Sequence, residues 1–415
     1  MKKIITILVL AFFLAMNSDA QTAYVTDGHN SVWVINAVTN TSITLIPVGY
    51  NPVGVSVSPD GTKVYVTNNS DNPDTANTGN TVSIINTATN TVSNTITVGP
   101  GPNGICVNSD GSKVYVANSG YETVNIVDAL ADTILATINL WNSPTGIAVS
   151  PNDSNIYVTY GPNKVGVINT ATNSVTASIT VGTAPNGIAV TPDGTKLYVA
   201  NGYDSTVSVI NTNTNTVVST ILVGHIPKGV CISPDGNRVY VVNYGSSSLS
   251  VISTSTNTVI ATIPCISLPW GVSITPDGSK VYVAIDCHGG VYVINTATNT
   301  ITDTILSPTN GSIGFGNFIS TYTQPAGIPI FTNESSSVSL YPNPTTYWFT
   351  LSYHLSITNS IFKIIDITGR NVYTKNINGT EGKETIDVSN LNSGIYFYQI
   401  TNEKEVLQGK VIIEK

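Results

Sequence analysis

Three of the four histidines in this 415-residue chain sit in short polar stretches between apolar runs, and two share a pattern. Asp27-Gly28-His29 and Asp286-Cys287-His288 both read Asp-x-His. Imidazole and carboxylate can share a divalent cation, and an Asp beside a His can tune a general base. Asp27, His29, Asp286 and His288 are therefore candidate metal ligands, with ordinary polar loops as the simpler alternative. The two copies are offset by one residue relative to the Tyr that precedes each. The third histidine of the group is His225.

Other catalytic signatures are missing from the sequence. It contains no CxxCH haem attachment, no GxSxG nucleophile elbow and no Gly-rich phosphate loop at a strand–helix junction. A net charge of −8 and a pI near 4.9 leave no basic footprint for nucleic acid. Charged residues make up only 10% of the chain. After residue 20, however, no apolar run approaches the ~18 residues that a membrane span requires. The mature chain is thus expected to lack a transmembrane segment.

The elements that must position these residues are repeats. A Tyr-Val step recurs at Tyr24, Tyr65, Tyr115, Tyr157, Tyr198, Tyr240 and Tyr282, spaced by 41, 50, 42, 41, 42 and 42 residues. The long interval holds an insertion near residues 71–79. In the clearest copy, starting at Pro185, four short β-patterned runs follow one another: GIAV (strand a), KLYVA (b), TVSVIN (c) and TVVSTI (d). Pro-Asp-Gly joins a to b, where Pro presets φ and Gly accepts a positive φ. Asn/Thr runs such as NTATNT join c to d, since short polar side chains bond neighbouring backbone groups. Four antiparallel strands per ~42 residues is the arithmetic of a propeller blade. The first copy lacks a strand a, and residues 311–320 are expected to supply it. The expected fold is all-β: a seven-bladed β-propeller with a composite first blade.

Strand order places the d–a and b–c loops on one face. The residue between Pro and Gly of each Pro-x-Gly opens strand a beside the central channel: Val53, Asn103, Thr145, Asn186, Lys228 and Trp270. A purely structural position could hold one residue type; this ring does not. Tyr50, Tyr121, Trp141, Tyr160, Tyr203 and Tyr244 gather in the same loops, where rings with an apolar face and a polar tip suit sugars or peptides. Lys228, Trp270, Asn103, Asn186 and His225 are the candidate ligand contacts, biased toward blades six, seven and one. Cys106 and Cys231 share a strand-a position with Ser56, Ala148, Ala189 and Ser273, and are expected to be thiols buried by close sheet packing. Cys265 and Cys287 are a candidate disulfide.

Tyr65-Val66-Thr67-Asn68 and its surrounding Pro-x-Gly and SPDGxKVYV pattern resemble the YVTN-family β-propeller repeat over about 300 residues. Blade four departs from it, with Pro151-Asn152-Asp153 for Pro-Asp-Gly and Tyr160 in place of the Asn. Some propellers with this resemblance are lactonases or lyases, but their acidic and His ligands do not map onto this chain residue by residue.

Both ends carry trafficking signals. Residues 1–20 have Lys2 and Lys3, an apolar stretch and small residues before a cleavage site expected between Ala20 and Gln21. A Pro-, Gly- and Ser-containing linker is expected at 321–337, followed by a small β-sandwich at 338–415. Pro342-Asn343-Pro344, Gly369-Arg370, Gly394 and Lys410 mark this tail, which resembles the type A sorting domain of the type IX secretion system. The resemblance implies passage through the periplasm, export by that machinery, and release or attachment at the outer-membrane surface. The expected product is a monomeric, non-catalytic scaffold for a glycan, peptide or protein, without a cofactor. The alternatives are a lactonase-like hydrolase or lyase with a divalent metal on the d–a/b–c face, and a structural cell-envelope protein.

Overall fold

The computed structural model describes residues 21–69, 79–265, 267–286, 289–308, 337–341, 345–355, 358–366, 370–402, 406–413 and 415. The chain divides into two compact units, Met1–Gln324 and Pro325–Lys415. In the first, six four-stranded antiparallel sheets follow a three-stranded one, giving the seven blades of a β-propeller. Blade five shows the pattern with strands Pro185–Val190, Lys196–Asn201, Thr206–Asn211 and Thr216–Leu222. Blade one has Thr22–Thr26, Ser31–Asn36 and Thr41–Pro47, corresponding to strands b, c and d. Residues 311–320, expected to complete it, lie outside the described residues, as do the signal segment up to Ala20 and nearly all of the linker.

Adjacent blades are held together at two levels. Near the axis, the Pro-x-Gly glycine of one blade lies against the carbonyl of residue x in the next. A Cβ on Gly54 would sit 2.1 Å from the Asn103 oxygen, one on Gly146 2.3 Å from Asn186 O, and one on Gly187 2.3 Å from Lys228 O. Only glycine lets two backbones approach this closely. Where strand b carries Thr, its hydroxyl joins the contact: Thr67 Oγ1 donates to Asn103 O and Thr159 Oγ1 to Asn186 O, both at 2.8 Å.

Farther out, the Tyr and basic residue of strand b reach the c–d turn of the following blade. Tyr198 Oη donates to Asn257 Oδ1 at 3.0 Å, and Lys196 Nζ to Thr254 O at 2.9 Å. That asparagine is left-handed (φ 54°), a conformation Asn tolerates better than most residues. The same contact closes the ring between blades seven and one. Tyr282 Oη donates to Ala37 O (2.9 Å) and Asn40 Oδ1 (2.7 Å), and Lys280 Nζ to Ala37 O (3.0 Å). Buried apolar residues of blades seven, one and two form one continuous cluster across this junction.

The second unit packs a three-stranded sheet (Ser337–Tyr341, Trp348–His354, Glu381–Asp387) with a four-stranded one (Asn371–Ile377, Ser360–Asp366, Gly394–Thr401, Val406–Ile413). Phe349, Leu351, Phe362, Ile364, Ile386 and Ile400 are buried in its core. Phe362 stacks on Tyr398 with ring centroids 6.2 Å apart.

The a–b turns close through aspartate. Asp193 Oδ1 accepts from Thr191 Oγ1 (2.5 Å) and from Thr195 N (3.0 Å). These bonds, the Thr191 hydroxyl first, hold its carboxyl below the ordinary 3.8, and Ser112 and Ser233 do the same for Asp110 and Asp235. A depressed folded-state pKa stabilises above the ordinary value and loses that contribution as pH falls through the folded value. The melting temperature is therefore expected to fall as pH drops below about 4. Replacing Asp110, Asp193 and Asp235 together by Asn should flatten that acid slope in thermal scans. An unchanged slope would count against these turns as its source.

Candidate functional site

At the channel mouth on the d–a/b–c face, the structure brings Lys228 and Trp270 together. Lys228 Nζ lies over the indole, 4.3 Å from the ring centroid. Tyr244, from the b–c loop of blade six, meets the same indole edge-on, with centroids 5.4 Å apart and planes at 89°. A cation over an aromatic face is stabilised by the ring quadrupole, by roughly 0.5–2 kcal/mol depending on desolvation. Burial lowers the Lys228 pKa. Among the described residues no carboxylate lies within ion-pair distance of it; the four ion pairs found there involve other groups. The strand-b cations Lys63, Lys196, Arg238 and Lys280, in contrast, donate to main-chain carbonyls of the next blade. Lys228 is thus a half-buried ammonium, fixed in direction and able to receive an anion.

The other candidates divide. Asn103 and Asn186 stand on the same ring in blades three and five, half-buried, with their carbonyls engaged by Thr67 and Thr159. His225 is exposed beside blade six, its Nδ1 3.0 Å from Ser205 Oγ. Asp27 is buried and its carboxylate is occupied. Oδ1 accepts from the N–H groups of His29, Asn30 and Ser31 at 2.9, 3.1 and 3.0 Å, and Oδ2 accepts from Ser31 Oγ. It serves as the capping residue of its own loop, and the exposed His29 has its Nδ1 3.2 Å from the Asp27 carbonyl oxygen. Asp286 contributes main-chain bonds, its N–H donating to Leu268 O at 2.9 Å and its carbonyl accepting from Ser267 Oγ at 3.2 Å. His288 lies outside the described residues, among which no three His, Cys, Asp or Glu side chains are close enough to hold a metal ion.

Cys265 is a free thiol. Its side chain turns inward, among Tyr240, Leu249, Val272 and Ile285, and burial pushes its pKa up to about 12. Cys287 lies outside the described residues. Cys106 and Cys231 keep little exposure, and burial of their thiols pushes both pKa values up. With Ser56, Ala148, Ala189 and Ser273 they line a central cavity of about 570 Å³. Small residues recur there because the innermost strands converge on the axis and wall its lumen. Pro59, Pro151, Pro192, Pro234 and Pro276 also line this cavity, which lies toward the a–b turns, away from Lys228. Gly104, Gly146, Gly187 and Gly229, with Ile105, Ile147 and Ile188, line a constriction holding only about 30 Å³.

In the tail, Asp366 and Arg370 form an ion pair, with Nε to Oδ2 at 3.0 Å. Gly394 opens the strand Gly394–Thr401, and Lys410 lies in Val406–Ile413. Pro342, Asn343, Pro344 and Gly369 are outside the described residues.

Sequence comparison agrees with both halves of this architecture. Residues 175–297 match the YNCE-like beta-propeller model, and residues 339–414 match the secretion system C-terminal sorting domain. The chain is a β-propeller that carries a type IX sorting domain, and hence a secreted protein. No curated protein matches it. Among solved structures, a functionally unknown protein from Desulfotomaculum acetoxidans is similar at 17% identity and TM-score 0.62, covering 72% of this chain and 100% of that one. Hydrazine synthase of Kuenenia stuttgartiensis is similar at 20% identity and TM-score 0.55, covering 62% of this chain and 87% of that one. At these identities the likeness is one of fold.

The state of Cys265 can be checked chemically. In native protein it should resist an aromatic disulfide reagent, and it should react once the chain is unfolded in guanidinium. A peptide map showing Cys265 linked to Cys287 would contradict the assignment.

Proposed function

We propose that the exported propeller is a non-catalytic binding scaffold that engages an extracellular glycan, peptide or protein through a carboxylate at the channel mouth. The observation that carries this reading is Lys228, the one Pro-x-Gly lysine, held over Trp270 and flanked by Tyr244. An ammonium with fixed direction and reduced hydration offers strong donors to an anion. Amide and hydroxyl side chains at Asn103, Thr145 and Asn186 could satisfy the remaining polar groups of such a ligand. Among the described residues, burial raises the pKa of Cys106, Cys231 and Cys265 and disfavours the reactive thiolate in each. The sorting tail supports a site of action outside the cell or on its surface.

The test is an array of acidic and neutral glycans and peptides probed with the full mature chain. Carboxylate-bearing ligands should dominate the hits. Lys228→Ala and Trp270→Ala should each weaken binding about tenfold, equivalent to roughly 1.4 kcal/mol. Lys113→Ala, in strand b of blade three, should leave binding unchanged. Full affinity in the Lys228 and Trp270 variants would overturn the assignment.

A further inference from the structure

Blade four departs from the repeat at three positions, Tyr160, Gly166 and Trp141, and the first two are in direct proximity. In blades two, three, five and six, the strand-b asparagine (Asn68, Asn118, Asn201, Asn243) is buried and its amide donates into strand c of its own sheet. Its side chain fills the space beside the d–a loop. A Cβ on Gly49, Gly99, Gly182 or Gly224 would lie 2.5–2.7 Å from that asparagine's Cγ. The loop position is therefore confined to glycine wherever the asparagine is present.

In blade four the asparagine is replaced by Tyr160, whose ring lies across strand c to reach Ser178 Oγ at 2.8 Å on strand d. The strand-c residue beneath it is Gly166, where a Cβ would be 3.1 Å from Tyr160 Cε1. Ser83, Asn125, Ser208 and Ser250 occupy that position elsewhere. In blade four, where the asparagine is absent, the d–a loop position carries Trp141, and the loop backbone differs too: the positive φ falls at Trp141 rather than at the residue before Pro, as at Asn51, Gly101, Ala184 and Ile226. That tryptophan is 77% exposed and adopts φ 61°. A bulky residue in the left-handed region costs about 1–2 kcal/mol. An indole thus stands out in solvent, in a conformation glycine would occupy without strain.

Trp141 does not stand alone. The adjoining b–c loop of blade three carries Tyr121, 71% exposed. The two loops are tied together by Ser143 Oγ donating to Ser119 O at 2.9 Å. Ser119, Asn142, Ser143 and Thr145 in these loops and the adjoining strand offer hydroxyl and amide groups, and the exposed Glu122, whose carbonyl accepts from Leu140 N–H at 2.8 Å, would repel an acidic polymer. We propose that Trp141 and Tyr121 form a second binding site, for the uncharged sugar rings of a neutral polysaccharide. The C–H face of a sugar stacks on an indole, while its hydroxyls exchange hydrogen bonds with Ser and Asn side chains. The site lies on blades three and four, away from Lys228, and uses stacking rather than charge.

The test is affinity electrophoresis of the full mature chain through gels containing xyloglucan, galactomannan or a soluble β-1,3-glucan. At least one of these should retard the protein. Trp141→Ala and Tyr121→Ala should each weaken that retardation about tenfold, and Lys113→Ala should leave it unchanged. Retardation in polygalacturonate that depends on Lys228 reports the channel mouth separately, so either site can fail without the other. Trp141→Gly supplies a readout independent of the polymer chosen. It should lose retardation while melting at the same temperature or higher, since glycine accepts the positive φ. The proposal is overturned if none of the three neutral polymers retards the wild type, if Trp141→Ala retains full retardation, or if Trp141→Gly melts lower.

Discussion

The propeller depends on how closely its innermost strands approach one another. At five successive junctions, a Cβ on the Pro-x-Gly glycine would lie 2.1–2.9 Å from a main-chain oxygen of the next blade. No side chain fits there, so the distance between blades at the axis is set by backbone against backbone. The remaining order follows from it. The strand-a position two residues on lines a narrow lumen and accepts only Ser, Ala or Cys. Where strand b offers Thr, its hydroxyl satisfies the carbonyl pressed against the glycine. At the periphery, Tyr and Lys or Arg secure the c–d turn of the next blade, and the same contact at Tyr282 and Lys280 closes the ring.

Much of this was legible in the sequence, because a repeated constraint leaves a repeated residue. The strand pattern, the Pro-Asp-Gly turns and the blade count follow from alternation and turn chemistry, and the tail from its landmark residues. What was not legible depends on distances between residues far apart in the chain. The small residues at Cys106 and Cys231 indicated tight surroundings, but only the structure distinguishes a lumen wall from an interface between sheets. Loop placement suggests a Cys265–Cys287 pair, but the burial of the Cys265 side chain in the blade-six and blade-seven core depends on packing that spacing does not report. Lys228 and Trp270 were each singled out as exceptions on the ring; that the ammonium lies on the indole required coordinates. Trp141 and Tyr160 left a trace, since they stand where other blades have Gly and Asn. Its meaning emerges only from the predicted clash of a Cβ with Asn68 and its equivalents.

A rigid ring of this kind separates structural from variable positions. The a–b and c–d turns carry Asp, Asn and Thr whose side chains bond their own backbone or the next blade, which leaves little freedom for change. The d–a and b–c loops emerge where the Pro-x-Gly packing ends, and there residue types differ from blade to blade. Asp27 shows that even a suggestive residue in these loops can be structural, because all its acceptor capacity goes to its own turn. Lys228 and Trp141 have the opposite character: a cation without a carboxylate among the described residues, and an indole held in water at a conformational cost. Such departures from local rules, made at a cost in stability, are the grounds for the two proposed sites.

This division is most directly tested by comparing thermal unfolding of two sets of variants in the full mature chain. Gly146→Ala and Gly187→Ala force a methyl group against a neighbouring carbonyl and should each cost about 1–3 kcal/mol, lowering the melting temperature by several degrees. Lys228→Ala and Trp141→Gly should stay within about 2 °C of wild type or rise above it. Glycine variants that melt like wild type, or Lys228 and Trp141 variants that melt several degrees lower, would contradict the account.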